Sequence, residues 1–148
     1  MTRILIVCLG NICRSPTAEA VLRAKLAAAG IDARVDSAGT GSWHVGDPPH
    51  ADMQRAAERS GYAMGDLRAR QVTPDDFERF DLILAADPTN MRDLEAIRPD
   101  GNATPVRLLA PYAGTDQDTV PDPYYTGGFD TTLELIEKAA DGLIAQLQ

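Results

Sequence analysis

The chain has 148 residues, 44% of them hydrophobic and 24% charged, with a formal net charge of −8. Such a composition excludes wholesale disorder, and the length fits one domain, residues 1–148, which buries about 70% of its unfolded surface without a disulfide or metal staple. An acidic chain is a poor general ligand for nucleic acid or an anionic membrane, and the longest apolar run, residues 4–9, is too short for a bilayer span or a signal-peptide core.

In chain order, residues 3–9 form a strand candidate, a continuous apolar run after Arg3 that is rich in β-branched side chains and bounded by Gly10, the pattern of a strand covered on both faces. A helix is predicted over 15–29, with Ser15 as N-cap, Pro16 at the first helical position, Glu19 in the first turn and Gly30 as terminator. A weaker strand follows at 33–37, and then a Gly- and Pro-rich loop, 39–49, that carries the only tryptophan, Trp43. Helices are predicted over 51–60 and from Thr73 to Phe80, a strand over 81–85, and a helix from the Asp87-Pro88 cap to Ile97. A last strand is predicted over 106–109. A long irregular segment, 110–129, then leads to a C-terminal helix, 131–147, with Leu133, Ile136, Ala140, Leu143 and Leu147 on one face. This alternation is that of an α/β sandwich with a mostly parallel sheet, whose ligand crevice lies at the carboxyl ends of strands. The first strand ends at Cys8-Leu9, which puts Cys8 at that crevice.

Cys8, Leu9, Gly10, Asn11, Ile12, Cys13, Arg14, Ser15 and Pro16 leave a strand, turn tightly and enter a helix. Free backbone N–H groups of such a loop and of the helix start converge into an anion nest. Gly10 permits unusual φ and Asn11 tolerates positive φ. Arg14 adds a planar, permanent cation matched to two phosphate oxygens. The nest that holds a dianion also favours a thiolate at Cys8, and a thiolate against a bound phosphoryl group points to phosphoryl transfer through a cysteinyl-phosphate. Ser15 can donate to the sulfur, cap the helix, or both. On the long loop, Pro121 and Pro123 stiffen Asp122 as a general acid for the leaving group; an Asp-Pro turn is the plain alternative, and Asp116 and Asp118 are rivals without flanking prolines. Trp43, Tyr124 and Tyr125 lie in loops and could wall a slot for a flat ring, although Trp43 could equally anchor its loop. His44 and His50 are read as surface or loop residues rather than catalysts. The two cysteines and two histidines form neither a disulfide framework nor a C-x-x-C zinc pattern, so no metal or other cofactor is expected and the compartment is read as cytoplasmic.

The run from Val7 through Cys8, Asn11, Arg14 and Ser15 to Pro16 resembles the signature of the low-molecular-weight protein tyrosine phosphatases. Asp122-Pro123-Tyr124-Tyr125 is similar to that family's acid loop. The likeness continues in Ser37-Ala38-Gly39-Thr40, Trp43-His44-Val45-Gly46, Ala69-Arg70-Gln71 and Phe80-Asp81-Leu82-Ile83. It implies a three-layer sandwich with a four-stranded parallel sheet in flavodoxin-like order 2-1-3-4 and helices on both faces. It also implies Cys8 as nucleophile, Arg14 as clamp, and Asp122 as acid then base. Leu9, Gly10, Asn11, Ile12, Cys13 and Ser15 would make the phosphate-binding loop, and Asn11 would be held left-handed by Ser15 and Ser37. Cys13 would form a reversible disulfide with Cys8 under peroxide, and Trp43, Tyr124 and Tyr125 would line the ring slot.

Leu67 stands where some relatives have a histidine bonded to the loop Asn, so Ser15 and Ser37 are expected to suffice. The implied activity is hydrolysis of phosphotyrosine in proteins. Alternatives are a protein-arginine phosphatase, which in similar proteins has Thr in place of Ile12, an arsenate-reductase-like protein, and a phosphate-binding module without turnover. The implied partner is a tyrosine-phosphorylated protein, such as a bacterial tyrosine autokinase, with no nucleic acid or membrane, and the chain would be a monomer or weak homodimer.

Overall fold

The computed structural model describes residues 1–148. Strand β1, Thr2–Cys8, lies inside a four-stranded parallel sheet of order β2-β1-β3-β4, with β2 at Ala33–Gly39, β3 at Leu82–Ala85 and β4 at Val106–Leu108. The expected architecture and strand order are those observed. Both faces of β1 are buried, which explains its unbroken apolar run. Ile4, Ile6 and Cys8 point into one core, and Leu5 and Val7 into the other, as the two-residue period of a strand requires.

The larger core lies under α1 (Arg14–Ala28), α2 (Ala51–Arg59) and α6 (Phe129–Leu147), with α6 burying Leu133, Ile136, Ala140 and Leu143 as its periodicity predicts. The smaller core holds Phe77 and Phe80 from α3 (Asp76–Arg79) and its end, and Leu94 from α4 (Pro88–Ile97). Asp87 caps α4 as expected, its side chain accepting from Asn90 N–H. No helix is long and apolar enough to cross a membrane.

Two local expectations fail. Helix α1 begins at Arg14, so its N-cap position falls on Cys13, two residues before the expected Ser15, and carries no side-chain cap. Ser15 already lies inside the helix, so its hydroxyl is free for the loop rather than the helix end. The segment 110–129 is not wholly irregular. It opens with a 3₁₀ turn, Ala110–Ala113, docks on β3 where Val120 N–H donates to Ala86 O (2.8 Å), and contains a short helix, α5 (Pro123–Thr126).

The 3₁₀ turn packs on α6 at Gly142, where an added methyl group would overlap the Tyr112 carbonyl. Alanine is the better helix former by about 1 kcal/mol, but a backbone carbonyl cannot yield as a side chain can. Gly142→Ala is therefore expected to destabilise the protein by about 1–3 kcal/mol, read as a lower midpoint in denaturant. A midpoint raised by the propensity gain would contradict this packing.

Candidate active site

β1 delivers Cys8 to the carboxyl edge of the sheet, and residues 9–13 turn back into α1. The turn depends on Asn11, the one non-glycine residue with positive φ (56°). Gly10 was expected to share that role but does not. Its constraint is closeness, because a Cβ there would lie 3.1 Å from the His44 ring.

The left-handed conformation costs about 1–2 kcal/mol in an ordinary residue and less in Asn. The Asn11 amide offsets this with three buried or half-buried hydrogen bonds. Its Nδ2 donates to Ser15 Oγ (2.7 Å) and Ser37 Oγ (3.0 Å), and its Oδ1 accepts from Arg70 N–H (3.0 Å). At roughly 1 kcal/mol each, the three outweigh the strain. The expectation that the two serines suffice was thus incomplete. Arg70 replaces the missing histidine route with a backbone donor, while Leu67 packs on the core.

Donor arithmetic then fixes what Ser15 can do. Its oxygen already accepts from Asn11, so its own proton goes to Cys8 Sγ at 3.0 Å or to Ala38 O at 3.4 Å. Asn11 N–H also donates to Cys8 Sγ (3.3 Å). The sulfur therefore faces both the Asn11 N–H and the Ser15 hydroxyl.

Behind the loop, Ser37 Oγ donates to buried Glu19 (2.6 Å), which pairs with Arg23 (2.6 Å). The sequence placed Glu19 in the first helical turn, but α1 begins at Arg14 and has no acidic residue there, and the fold makes Glu19 the acceptor for Ser37. Burial raises its pKa above the ordinary carboxylate value, against the lowering effects of Ser37 and Arg23. A carboxyl raised by folding binds its proton more tightly in the native state, so its contribution to stability falls as pH rises from the ordinary glutamate range through the native value. Glu19→Gln lacks this titration. The difference in Tm between variant and wild type should therefore shift in the variant's favour as pH rises from about 4 to 7; a difference independent of pH would contradict it.

Arg14 is almost fully buried (4% exposed), and its guanidinium is held on three sides. Nη1 donates to Asp87 Oδ2 (2.8 Å) and Val120 O (3.0 Å), and Nη2 lies 3.5 Å from Asp122 Oδ2. Asp122 is extended (φ −87°, ψ 108°), as a residue before proline should be, and its carboxylate also accepts from Tyr124 N–H (3.1 Å). It is both the Asp-Pro cap and the acid candidate. Asp116 and Asp118 do not line the cleft.

Cys8, Cys13, Arg14 and Asp122 open on one cleft of about 320 Å³, also lined by Leu9, Gly10, Ile12, Trp43, His44, Tyr124 and Tyr125. Trp43 is 73% exposed and so belongs to the slot rather than the core. Cys13 differs in kind from Cys8. Burial pushes its thiol up to about 12, and the nearby Cys8 and Asp122 add to the rise while Arg14 opposes it. No group of three or more His, Cys, Asp or Glu side chains is placed to hold a metal ion.

Residues 3–148 match the family model for low molecular weight phosphotyrosine protein phosphatases. The chain belongs to this family. It is 41% identical to the low molecular weight protein-tyrosine-phosphatase YfkJ of Bacillus subtilis, with 100% of this chain and 97% of that protein aligned. The crystal structure of YfkJ superimposes with a TM-score of 0.94, covering 100% of this chain and 95% of that one. A Streptomyces coelicolor low molecular weight protein-tyrosine-phosphatase is 44% identical over 99% of this chain and 93% of its own length. The structure of a Drosophila arginine phosphatase is also similar, at 32% identity and TM-score 0.94, covering 100% and 98% of the two chains.

This phosphatase uses three groups that sequence reasoning missed or assigned otherwise. Asp87 was read only as a helix cap, yet one carboxylate oxygen caps α4 and the other orients Arg14. His44, read as a surface or loop residue, does lie in the loop and pairs with Asp47 (3.2 Å), and it also lines the cleft beside Gly10. Arg70 acts on Asn11 through its backbone N–H, which no side-chain pattern could signal.

Proposed function

We propose that the protein hydrolyses phosphotyrosine in proteins through a cysteinyl-phosphate intermediate. The observation that carries this reading is the meeting of Cys8, Arg14 and Asp122, more than a hundred positions apart at the extremes, in one cleft edged by Trp43 and Tyr124. The Cys8 thiolate attacks phosphorus as the bond to the tyrosine oxygen breaks, and the Asp122 carboxyl gives its proton to the departing phenolate. Arg14 and the loop N–H groups carry the charge of the equatorial oxygens. The Asp122 carboxylate then takes a proton from water, which attacks phosphorus and expels the thiolate toward the Ser15 hydroxyl. The aromatic edge suits a phenyl ring, and a tyrosine-phosphorylated protein such as a tyrosine autokinase is the substrate class in view.

A phosphoarginine substrate is the second reading, favoured by the likeness to the Drosophila arginine phosphatase; Ile12 in the cleft weighs toward the flat ring. Phosphate release from phosphotyrosine and phosphoarginine proteins, measured side by side with Cys8→Ser as the blank, decides between them. Release confined to phosphotyrosine supports the first reading, release mainly from phosphoarginine supports the second, and release from neither overturns both. Cys8→Ser and Arg14→Ala should lower turnover by at least about a thousandfold. Asp122→Ala should cost about 10²–10⁴ with weakly acidic phenol leaving groups and far less with strongly acidic ones; an equal loss on all of them would remove Asp122 from the acid role.

In the same reading, peroxide converts the Cys8 thiolate to a sulfenic acid, and the Cys13 thiolate displaces its oxygen as water or hydroxide to close a disulfide. Because Cys13 is pushed up to about 12, closure should accelerate about tenfold per pH unit from 6 to 9 under conditions where sulfenic acid formation is complete. Mass spectrometry after a peroxide pulse checks this, and a flat profile would count against Cys13 as the resolving thiol.

A further inference from the structure

His50 belongs to no step above, yet it touches three parts of the site. Its backbone N–H donates to Ile12 O in the phosphate loop (2.8 Å). Its Nδ1 accepts from Asp52 N–H (3.1 Å), which caps α2. Its ring stacks on Phe129 at the start of α6 (centroids 5.0 Å, 27°) and meets the Tyr124 ring edge-on (6.0 Å, 86°). Tyr124 sits in α5, whose N-cap is Asp122.

Such a junction matters because side-chain packing, rather than hydrogen bonding, holds the body of α5 against the site. Hydrogen bonds from residues 124–127 stay within the segment, from Tyr124 N–H to Asp122, Gly127 N–H to Pro123 O and Thr126 Oγ1 to Gly127 O. The approach to α5 is anchored, with Val120 tied to Arg14 and Ala86, and Thr132 Oγ1 donating to Pro121 O (3.2 Å). Asp122 is held by its ion pair with Arg14, and Pro123 is buried. Beyond Pro123, the turn is packed through the rings around Tyr124, namely His50, His44 and Tyr125. Of these, His50 alone is fixed by its own backbone bond to the phosphate loop and by a cap bond to a helix.

We infer that His50 is a positioning residue that locks the acid loop in register with the phosphate loop, through its main-chain bond to Ile12 on one side and its ring between Tyr124 and Phe129 on the other. This rests on Asp122 as the general acid. The experiment separates the two ideas by the dependence of kcat/KM on leaving-group acidity across a series of aryl phosphates, from dinitrophenyl to phenyl. Three variants divide the roles of His50. Asn at 50 keeps an acceptor for Asp52 N–H but has no ring. Phe at 50 keeps a ring but has no acceptor. Phe129→Leu removes the stacking partner and leaves His50 intact.

With His50→Asn, kcat/KM on phenyl phosphate should fall about three- to tenfold, the range of a lost aromatic pair, while dinitrophenyl phosphate changes little, so the dependence steepens. Phe129→Leu should steepen it in the same sense, and it keeps the test open if the first variant does not fold. His50→Phe should keep the wild-type dependence while lowering Tm through the lost cap. An unchanged dependence in His50→Asn and Phe129→Leu, or a dependence in His50→Phe as steep as in His50→Asn, overturns the proposal. Asp122→Ala is the reference. If it too leaves the dependence unchanged, the acid assignment itself has failed; if it steepens while the His50 and Phe129 variants do not, only the His50 proposal has.

Discussion

The site is organised by one side-chain amide. Asn11 holds the loop in a conformation that most residues avoid, and its three hydrogen bonds reach helix α1, strand β2 and the segment ending in Gln71. The Ser15 oxygen accepts from Nδ2, and the Ser15 proton goes to Cys8 or to Ala38 O. Because the amide also donates to Ser37, the Ser37 proton is directed to Glu19. A single donor group thus links the hydroxyl beside the sulfur to the Ser37–Glu19 pair behind the loop, and a network with satisfied members of this kind favours one arrangement over its alternatives.

Arg14 obeys a second constraint of the same type. A guanidinium so deeply buried requires partners, since an unpaired buried charge would cost several kcal/mol. Asp87, Val120 O and Asp122 supply them. Two of these are carboxylates, one fixed at a helix cap and one on the loop with the proposed acid role. The cation that would bind the phosphoryl group therefore also positions the acid beside it. The charge needed for binding and the geometry needed for proton transfer come from one ion-pair cluster.

The aromatic residues are distributed differently. Trp43, Tyr124 and Tyr125 stay exposed, so their surface is not invested in the core. They form the rim of a cleft that holds Cys8, Arg14 and Asp122 among apolar lining residues such as Leu9 and Ile12, and the two histidines sit behind them on Tyr124.

Much of this was legible in the sequence because it is encoded locally. The apolar run before Cys8, the Gly-Asn turn, the nearby helix start marked by Ser15-Pro16 and the prolines around Asp122 are contiguous signals, each with its own physical cause, and the fold class follows from the alternation of strands and helices. What the tertiary structure decided was pairing. The sequence placed Asp87 correctly at a helix cap but could not show its second oxygen on Arg14. It offered Ser15 as cap, sulfur partner or both, and the N-cap of α1, two residues earlier, left the hydroxyl beside the sulfur. Arg70 supports Asn11 through a backbone N–H, and His50 meets Tyr124 only because α2 and α6 converge beside the phosphate loop. Local conformational preference is written along the chain; which donor meets which acceptor depends on distances between segments, and these exist only once the sheet and its helices have packed.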